Sequence, residues 1–336
     1  MAKKIPPVTK EEWNEVNEDN KNIVEEYLDS LVNLSDETIK QYTSSIKIYF
    51  RWIKDNCKNI SFDKIKSRDY LRYQNYLTKL GLSSSAIKFK RSTVSAFNDF
   101  IITFYNDLYP TFHNYITKQI KTPPPAFVHP KEPLTIEEIN KLANYLEKNE
   151  KWQELAYLLY TYSCGCRKTE SRLLLKEVVD YKPVIKNKEI VNKKGKKENK
   201  EIKYYVTHEI RCKGAGKTGK VRKLKFDQRA MDALKKWIEV RGEDDCPYMF
   251  VTKYNGKIKQ CSGSTFNYWC HHIFEPVIGR RIHPHLFRES KATNLVVFEK
   301  KDIKVAQSLL GHAQSSTTEI YVIQDDTNDA DDAFIE

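Results

Sequence analysis

Residues 309–321 read LLGHAQSSTTEIY. The apolar residues before Gly311 favour a helix that ends on a left-handed glycine cap. His312 follows the glycine directly, and Tyr321 lies nine residues beyond that histidine. By itself this stretch is an ordinary helix end followed by one of 20 tyrosines. Its meaning depends on the polar motifs that precede it.

Three earlier motifs place cationic side chains at predicted turns or helix ends. They are GCRKTE at residues 165–170, which contains Arg167 and Glu170, the basic hairpin at residues 211–223, and HLFR at residues 285–288, which contains His285 and Arg288. Each has an ordinary structural explanation: Arg167 as the surface partner of Glu170, His285 as a surface histidine, and the lysines as a solvated face. Taken together with the first stretch, they supply a candidate for every role in one reaction.

That reaction is metal-free attack on a DNA phosphodiester. Two guanidinium groups can hold the non-bridging oxygens and stabilise the additional negative charge of the transition state. A tyrosine hydroxyl can attack, a histidine can orient it or accept its proton, and a lysine can protonate the departing 5′ oxygen. The sequence therefore indicates phosphoryl transfer without a metal or other cofactor.

The charge of the chain is concentrated in one segment. The 336 residues carry 57 Lys and Arg against 45 Asp and Glu, a formal net charge of +12. Residues 181–225 contain 16 basic and 4 acidic side chains, so this segment holds the whole surplus. A localised positive surface of this kind attracts nucleic acid.

Composition also excludes several classes of protein. No apolar run of about 18 residues is present, and the N-terminus lacks the apolar core of a signal peptide. We therefore expect a protein of the prokaryotic cytoplasm, associated with the nucleoid and without a membrane partner. Seven cysteines without paired CxxC spacing fit reduced thiols, and they form no plausible four-ligand metal site.

The first third of the sequence predicts four helices. Apolar residues recur at helical spacing over residues 23–31 and 39–53, and Ser35 is placed to cap the second of these segments. A third helix is expected over residues 67–80 and a fourth from Ser83 onward.

After a proline-rich linker, the second part mixes helices and strands. Thr135 and Glu138 form a predicted capping box, and an apolar helix is expected over residues 155–163. Short strands are predicted at residues 178–179, 189–191, 202–210 and 221–226, with helices returning up to about residue 322. The predicted fold class is mostly α with a small, basic β-sheet.

The four motifs, in this order and with these spacings, resemble those of the tyrosine recombinase (integrase) family of phages and conjugative transposons. The family's catalytic domain carries an arginine box, a lysine on a β-hairpin, a His-x-x-Arg box, a Leu-Gly-His box and a tyrosine nine residues later. The resemblance implies a helical core-binding domain at residues 1–117, a linker at 118–133, an α+β catalytic domain at 134–324 and an acidic tail at 325–336.

The resemblance also implies a role for each motif residue and a 3′-phosphotyrosyl intermediate that needs neither ATP nor metal. These roles are the phosphate clamp for Arg167 and Arg288, proton transfer for His285, a hydrogen bond to the phosphate for His312, the general acid for Lys213, the nucleophile for Tyr321, and support of the active-site arginine and histidine for Glu170.

The chain departs from the family pattern at two places. The hairpin contains extra glycines, so Lys217 or Lys220 is an alternative to Lys213 as the acid. Glu289 follows Arg288 where the family often has a histidine, and its carboxylate can alter the electrostatics of the clamp.

Polar helix faces of the first domain are candidates for DNA contact, with a solvated helix face as the alternative. These residues are Lys40, Ser44 and Lys47 on the second predicted helix, and Lys88, Lys90 and Arg91 on the fourth. In the second domain, residues 193–200 either contact phosphate nonspecifically or are disordered.

The partners that the resemblance implies are double-stranded DNA and further copies of the chain. The family acts as a homotetramer on paired DNA sites, with a monomer expected when free, and its reactions admit accessory excision or DNA-bending proteins. Two alternatives stay open: a type IB topoisomerase-like enzyme that relaxes DNA, and a catalytically inactive DNA-binding regulator. A helical core-binding domain with a linker favours a recombinase.

The last residues form an acidic tail that carries the apolar pair Phe334 and Ile335 just before Glu336. In the family, a C-terminal segment commonly reaches into a neighbouring protomer, which predicts that this apolar pair docks there. The alternative is a disordered acidic tail that limits nonspecific DNA binding.

Overall fold

The computed structural model describes residues 5–124, 132–191, 197–212, 219–311 and 318–319. These residues form two compact units, one within residues 5–124 and one from residue 132 onward. The predicted fold class is confirmed, because the chain is mostly helical with small antiparallel sheets in the second unit.

The N-terminal unit is built from helices. They are α1 (Lys10–Asn14), α2 (Glu18–Ser30), α3 (Asp36–Asn56), α4 (Ser67–Lys79) and α5 (Ser84–Phe104), with a 3₁₀ turn at Phe62–Lys64. Helices α2 to α5 are the four that the sequence predicts, and α1 is additional. Ser35 and Ser83 cap α3 and α5 by accepting backbone hydrogen bonds, which confirms the predicted helix starts.

An aromatic core stabilises this unit. The ring of Tyr49 lies 4.9 Å from that of Tyr73, and Phe50 lies 5.4 Å from Phe97, with all four side chains fully buried. Edge-on packing of this kind adds to the hydrophobic contribution of the rings.

The chain after α5 is bound to the same unit. The guanidinium of Arg91 donates to the carbonyls of Thr117 and Ile120. Gln74 donates to the carbonyl of Lys121 at 2.8 Å, and the hydroxyl of Ser84 donates to that of Pro123. The first residues of the predicted linker are therefore fixed against α4 and α5.

The second unit is organised around a buried helix. Its helices are α6 (Ile136–Lys148), α7 (Trp152–Cys164), α8 (Lys168–Arg172), α9 (Gln228–Arg241), α10 (Gly263–Trp269), α11 (Glu275–Ile278), α12 (Pro284–Thr293) and α13 (Ile303–Leu310). A π-helical turn at Cys270–Phe274 joins α10 to α11, and another at Asn294–Phe298 extends α12. Helix α7 is buried along most of its length and packs against α6, α9 and α12. The predicted capping box of Thr135 and Glu138 is present at the start of α6.

Short antiparallel strands complete this unit. They are β1 (Val184–Val191), β2 (Lys197–Val206), β3 (Ile210–Cys212), β4 (Lys220–Arg222), β5 (Lys225–Phe226), β6 (Val251–Tyr254) and β7 (Lys257–Gln260). The first sheet has the order β1-β2-β5, while β3 pairs with β4 and β6 pairs with β7.

The strands differ from the prediction in four places, one of which is the division of the predicted strand at 221–226 between β4 and β5. The predicted strand at residues 178–179 is instead part of a 3₁₀ helix, Lys176–Asp180. The backbone N–H of Lys176 donates to the carbonyl of Pro247, and the chain then turns. The predicted strand at 202–210 is divided between β2 and β3. The β6-β7 hairpin was not predicted, although Asn255-Gly256 at its tip, both with positive φ, is a strong hairpin signal.

Candidate active site

The first motif lies where the buried helix α7 ends. Gly165 adopts a left-handed φ of +57°, which glycine tolerates easily. A Cβ on this residue would stand 2.5 Å from Cδ2 of Leu310, so the end of α13 packs directly on the turn. Arg167 is the N-cap residue of α8, and its side chain is 24% exposed. The core of the unit thus fixes a partly exposed arginine.

Glu170 lies between two arginines. Its side chain is fully buried, and Oε1 accepts a hydrogen bond from Nη1 of Arg167 at 3.0 Å. Oε2 accepts from the backbone N–H of Arg167 at 2.9 Å and from Nη2 of Arg222 at 2.8 Å. Burial acts to raise the pKa of this carboxyl, but Arg222 and Arg167 together outweigh it and hold the pKa below its usual value. Glu170 is therefore an ionised group that orients Arg167.

The third motif opens on the same cleft as the first. This cleft has a volume of about 590 Å³, and its walls are formed by Arg167, Lys168, Thr169, Asn267, His283, Pro284 and His285. His283 is the N-cap of α12, where its Nδ1 accepts from the backbone N–H of Leu286 at 3.1 Å. The cleft therefore brings Arg167 and His285 together, while His283 has a structural role at the helix start.

The environment of His285 favours its neutral form. Burial lowers the pKa of the imidazole, and the charges of Arg288, His283 and Arg167 act in the same direction, while Glu289 opposes them. A neutral imidazole at neutral pH can accept a proton from a hydroxyl group in the cleft.

Arg288 joins three of the four motifs. Its side chain is fully buried; Nη1 donates to the carbonyl of Gly165 at 2.6 Å and Nη2 to that of Leu310 at 2.8 Å. These carbonyls belong to the ends of α7 and α13, which lead into the first and fourth motifs. One guanidinium thus binds the two segments that the site requires.

Arg222 joins the basic hairpin to the same cluster. Besides its contact with Glu170, it donates from Nη1 to the carbonyl of Leu309 at 3.1 Å. Sequence reasoning did not single out this residue among the cations of the hairpin. The sequence held no local signal for it, because the β3-β4 register that pairs Arg222 with the buried Ile210, and so places it on the inward face, exists only in the folded chain.

The structure thus brings together part of the predicted set. The residues united in one place are Arg167, Glu170, His285 and Arg288. Three further candidates, Lys213, His312 and Tyr321, lie outside the described residues, as do the alternative acid Lys217 and the acidic tail. The other alternative, Lys220, is exposed at the start of β4.

The predicted DNA-contact residues of the first unit have different surroundings. Lys40, Ser44 and Lys88 are exposed on α3 and α5. Lys47 lies over the ring of Trp13 at 4.7 Å, burial lowers the pKa of Lys90, and Arg91 is bonded to backbone carbonyls. The exposed residues are therefore the better placed for contact with a phosphate.

Two other kinds of site are absent from the described part of the chain. Among the residues that the structure describes, no group of His, Cys, Asp and Glu is arranged to hold a metal ion, and no helix is both long and apolar enough to cross a bilayer. All seven cysteines are free thiols.

The family model described as "Phage integrase family" matches residues 132–328, and "Phage integrase, N-terminal SAM-like domain" matches residues 24–103. The chain belongs to the phage integrase family. It is 31% identical to the SPbeta prophage-derived recombinase-like protein YomM of Bacillus subtilis (strain 168), over 99% of this chain and 96% of that protein. It is therefore a tyrosine recombinase, an enzyme of the DNA breaking-rejoining class.

Solved structures share the fold of this integrase. XerH site-specific recombinase, in a post-cleavage complex with a palindromic difH substrate, aligns with a TM-score of 0.64 and 18% identity over 89% of this chain and 79% of that one. A lambda integrase tetramer bound to a Holliday junction aligns with a TM-score of 0.57 and 17% identity over 90% and 76% of the two chains.

Proposed function

We propose that this integrase cuts and rejoins double-stranded DNA at specific sites through a 3′-phosphotyrosyl bond to Tyr321, without metal or ATP. The observation that carries the proposal is the pair of hydrogen bonds from Arg288 to Gly165 and Leu310, at 2.6 and 2.8 Å. They join the ends of the helices that lead to Arg167 and to His312 and Tyr321. Attack on one phosphate requires all these groups at one place.

The groups at the cleft fit the steps of the reaction. Arg167, partly exposed and oriented by the ionised Glu170, is suited to hold a phosphate oxygen. His285, neutral at neutral pH, is suited to accept the proton of the attacking hydroxyl. His312 would donate to the phosphate, and Lys213 would protonate the leaving 5′ oxygen.

Arg288 can complete the phosphate clamp only after a local rearrangement. Its side chain is fully buried, and both terminal nitrogens donate to backbone carbonyls. We therefore infer that DNA binding displaces residues that cover Arg288 and exposes its guanidinium to the phosphate.

A sheet face supports contact with DNA. Tyr205 and Phe226 stack against each other on the core side of the β1-β2-β5 sheet, so neighbouring strand positions point outward. That outer face carries Lys188 directly opposite Lys200, with Lys186 two residues away on the same side. A phosphate backbone lying across this face would be attracted by the charges of these lysines.

The two units would divide the work of recombination. We propose that residues 1–117 bind DNA with the exposed side chains of Lys40, Ser44 and Lys88, and that residues 134–324 carry out the reaction. The lambda integrase tetramer bound to a Holliday junction supports our proposal of a homotetramer on paired sites, and the XerH complex with its difH substrate supports DNA as the partner. The prophage-derived relative supports a role on a mobile element.

A suicide substrate tests the proposed reaction. In a nicked site, cleavage releases a short fragment that carries the 5′ hydroxyl needed for religation. The enzyme is then trapped on the DNA, so wild type should accumulate a covalent adduct. Tyr321→Phe should bind the same DNA without forming any adduct, because only the attacking oxygen is lost. Binding without an adduct in the wild type would identify an inactive regulator instead. Relaxation of supercoiled plasmid with no exchange between paired sites would favour the topoisomerase alternative.

A further inference from the structure

Arg222 is a guanidinium that the reaction scheme above leaves without a role. It is the last residue of β4, and its side chain is 19% exposed. Nη2 lies 2.8 Å from Oε2 of Glu170, which is 52 residues away in sequence, and Nη1 lies 3.1 Å from the carbonyl oxygen of Leu309, 87 residues away. One side chain therefore connects two distant parts of the site.

Its contact at α13 satisfies a general requirement of helix ends. The last carbonyls of a helix lack intrahelical partners and form the negative end of its dipole, which favours a cation there. Arg222 binds Leu309 and Arg288 binds Leu310. A Cβ on Gly311 would stand 2.5 Å from Nη1 of Arg222, so glycine allows this close approach. The helix end that leads to His312 is thus held by two guanidinium groups.

Its contact at Glu170 compensates a buried charge. The carboxylate has no exposed surface, and the ion pairs that the structure gives it are with Arg167 and Arg222. A buried charge that loses one of its partners is strongly destabilised, so the geometry of Glu170 depends on both arginines.

We propose that Arg222 is a positioning residue for recombination. It fixes Glu170, and through it Arg167, relative to the end of α13, and it does not touch the scissile phosphate. This inference rests on the proposed function. Lysine is a poor substitute, because a single ammonium group lacks the planar fork that reaches two acceptors in fixed directions.

Single-turnover cleavage at saturating DNA tests the proposal. Arg222→Met should lower the cleavage rate by about tenfold to a hundredfold, the range expected when reacting groups are misplaced by about 1 Å, with little change in DNA affinity. Arg222→Lys should recover part of the rate.

The matched control is Arg241→Met. Arg241 is also buried, pairs with Asp244, and donates to the carbonyls of Cys246 and Tyr248. Its loss should reduce thermal stability as the loss of Arg222 does, yet leave the cleavage rate of folded enzyme unchanged.

The pH profile separates positioning from simple destabilisation. Two charged groups face Glu170, the guanidinium groups of Arg167 and Arg222. Three neutral groups also face it, and burial raises the pKa of each: the Tyr160 hydroxyl and the thiols of Cys166 and Cys212. Loss of Arg222 should raise the pKa of Glu170. On acidification, the variant should therefore lose activity at a higher pH than wild type does. In a Glu170→Gln background, Arg222→Met should add little further loss, since the two residues act as a unit.

The outcomes distinguish this inference from the proposed function. A folded Arg222→Met variant with the wild-type rate and pH profile would overturn the inference alone. If that variant does not fold, a fully active Arg222→Lys variant with an unchanged pH profile would overturn it. Failure of the wild type to form a covalent adduct would instead remove the proposed function.

Discussion

The spacing of the His-x-x-Arg box has a direct atomic consequence. Residues three apart on a helix share a face, so His285 and Arg288 of α12 point toward the same region. His285 reaches the cleft, and Arg288 reaches the ends of α7 and α13. The same helix therefore supplies a proton acceptor and the link between neighbouring motifs.

The sequence identified most residues of the site but not the contacts among distant ones. Arg167, Glu170 and Arg288 were identified from short motifs because each lies within a local pattern. Arg222 was not, since its partners lie 52 and 87 residues away and only the folded chain brings them together.

The identity of the general acid is a prediction for single residues. A 5′-bridging sulfur leaves without protonation, so Lys213→Ala should cleave a normal phosphodiester poorly and the phosphorothiolate nearly as well as wild type. Loss of a general acid costs about 10² to 10⁴ in rate. Lys220→Ala, an exposed neighbour on the same hairpin, is the control and should cleave both substrates normally. If the sulfur substrate rescues a Lys217 or Lys220 variant but not Lys213→Ala, the rescued position is the general acid instead of Lys213.

Among the secondary-structure elements, helices were predicted more reliably than strands. Ser35, Thr135 and Glu138 act within one turn of their helices, so local sequence contains the whole signal. The pairing of β3 with β4 and the 3₁₀ turn at Val178 depend on distant partners. The missed β6-β7 hairpin is different, because its Asn255-Gly256 turn could have been recognised locally.

The outer face of the β1-β2-β5 sheet provides a test with a matched pair. Lys200 and Lys203 are both exposed on β2 but, three residues apart in a strand, they point to opposite faces. Each phosphate contact contributes about 0.9 to the slope of log affinity against log salt. Lys200→Ala should therefore lower the slope by about that amount in duplex binding, whereas Lys203→Ala should leave it unchanged. Equal slopes in the two variants would show that this face does not contact DNA.

The whole molecule consists of two units with separate cores. The N-terminal core is mainly aromatic and includes the chain up to residue 120, whereas the second surrounds α7. Separate cores allow each unit to contact DNA while the catalytic groups stay within the second one. Net charge agrees with this division, because the excess of cations lies in residues 181–225.

The acidic tail is a prediction about assembly. If Phe334 and Ile335 dock on a neighbouring protomer, truncation after Asp326 should abolish tetramer formation on paired sites and leave cleavage uncoordinated. Wild type and truncated enzyme can be compared by analytical ultracentrifugation of the DNA complexes. Normal tetramers with tighter nonspecific DNA binding would instead support a solvated tail that repels DNA.

The chemistry of the covalent complex is the most direct test of a 3′-phosphotyrosyl mechanism. The trapped adduct can be digested with protease and the DNA-linked peptide identified by mass spectrometry, while end-labelling defines the ends of the broken strand. If Tyr321 is the nucleophile, the linkage joins Tyr321 to the 3′ phosphate and leaves a free 5′ hydroxyl on the other end. A linkage at another residue, or to a 5′ phosphate, would contradict it.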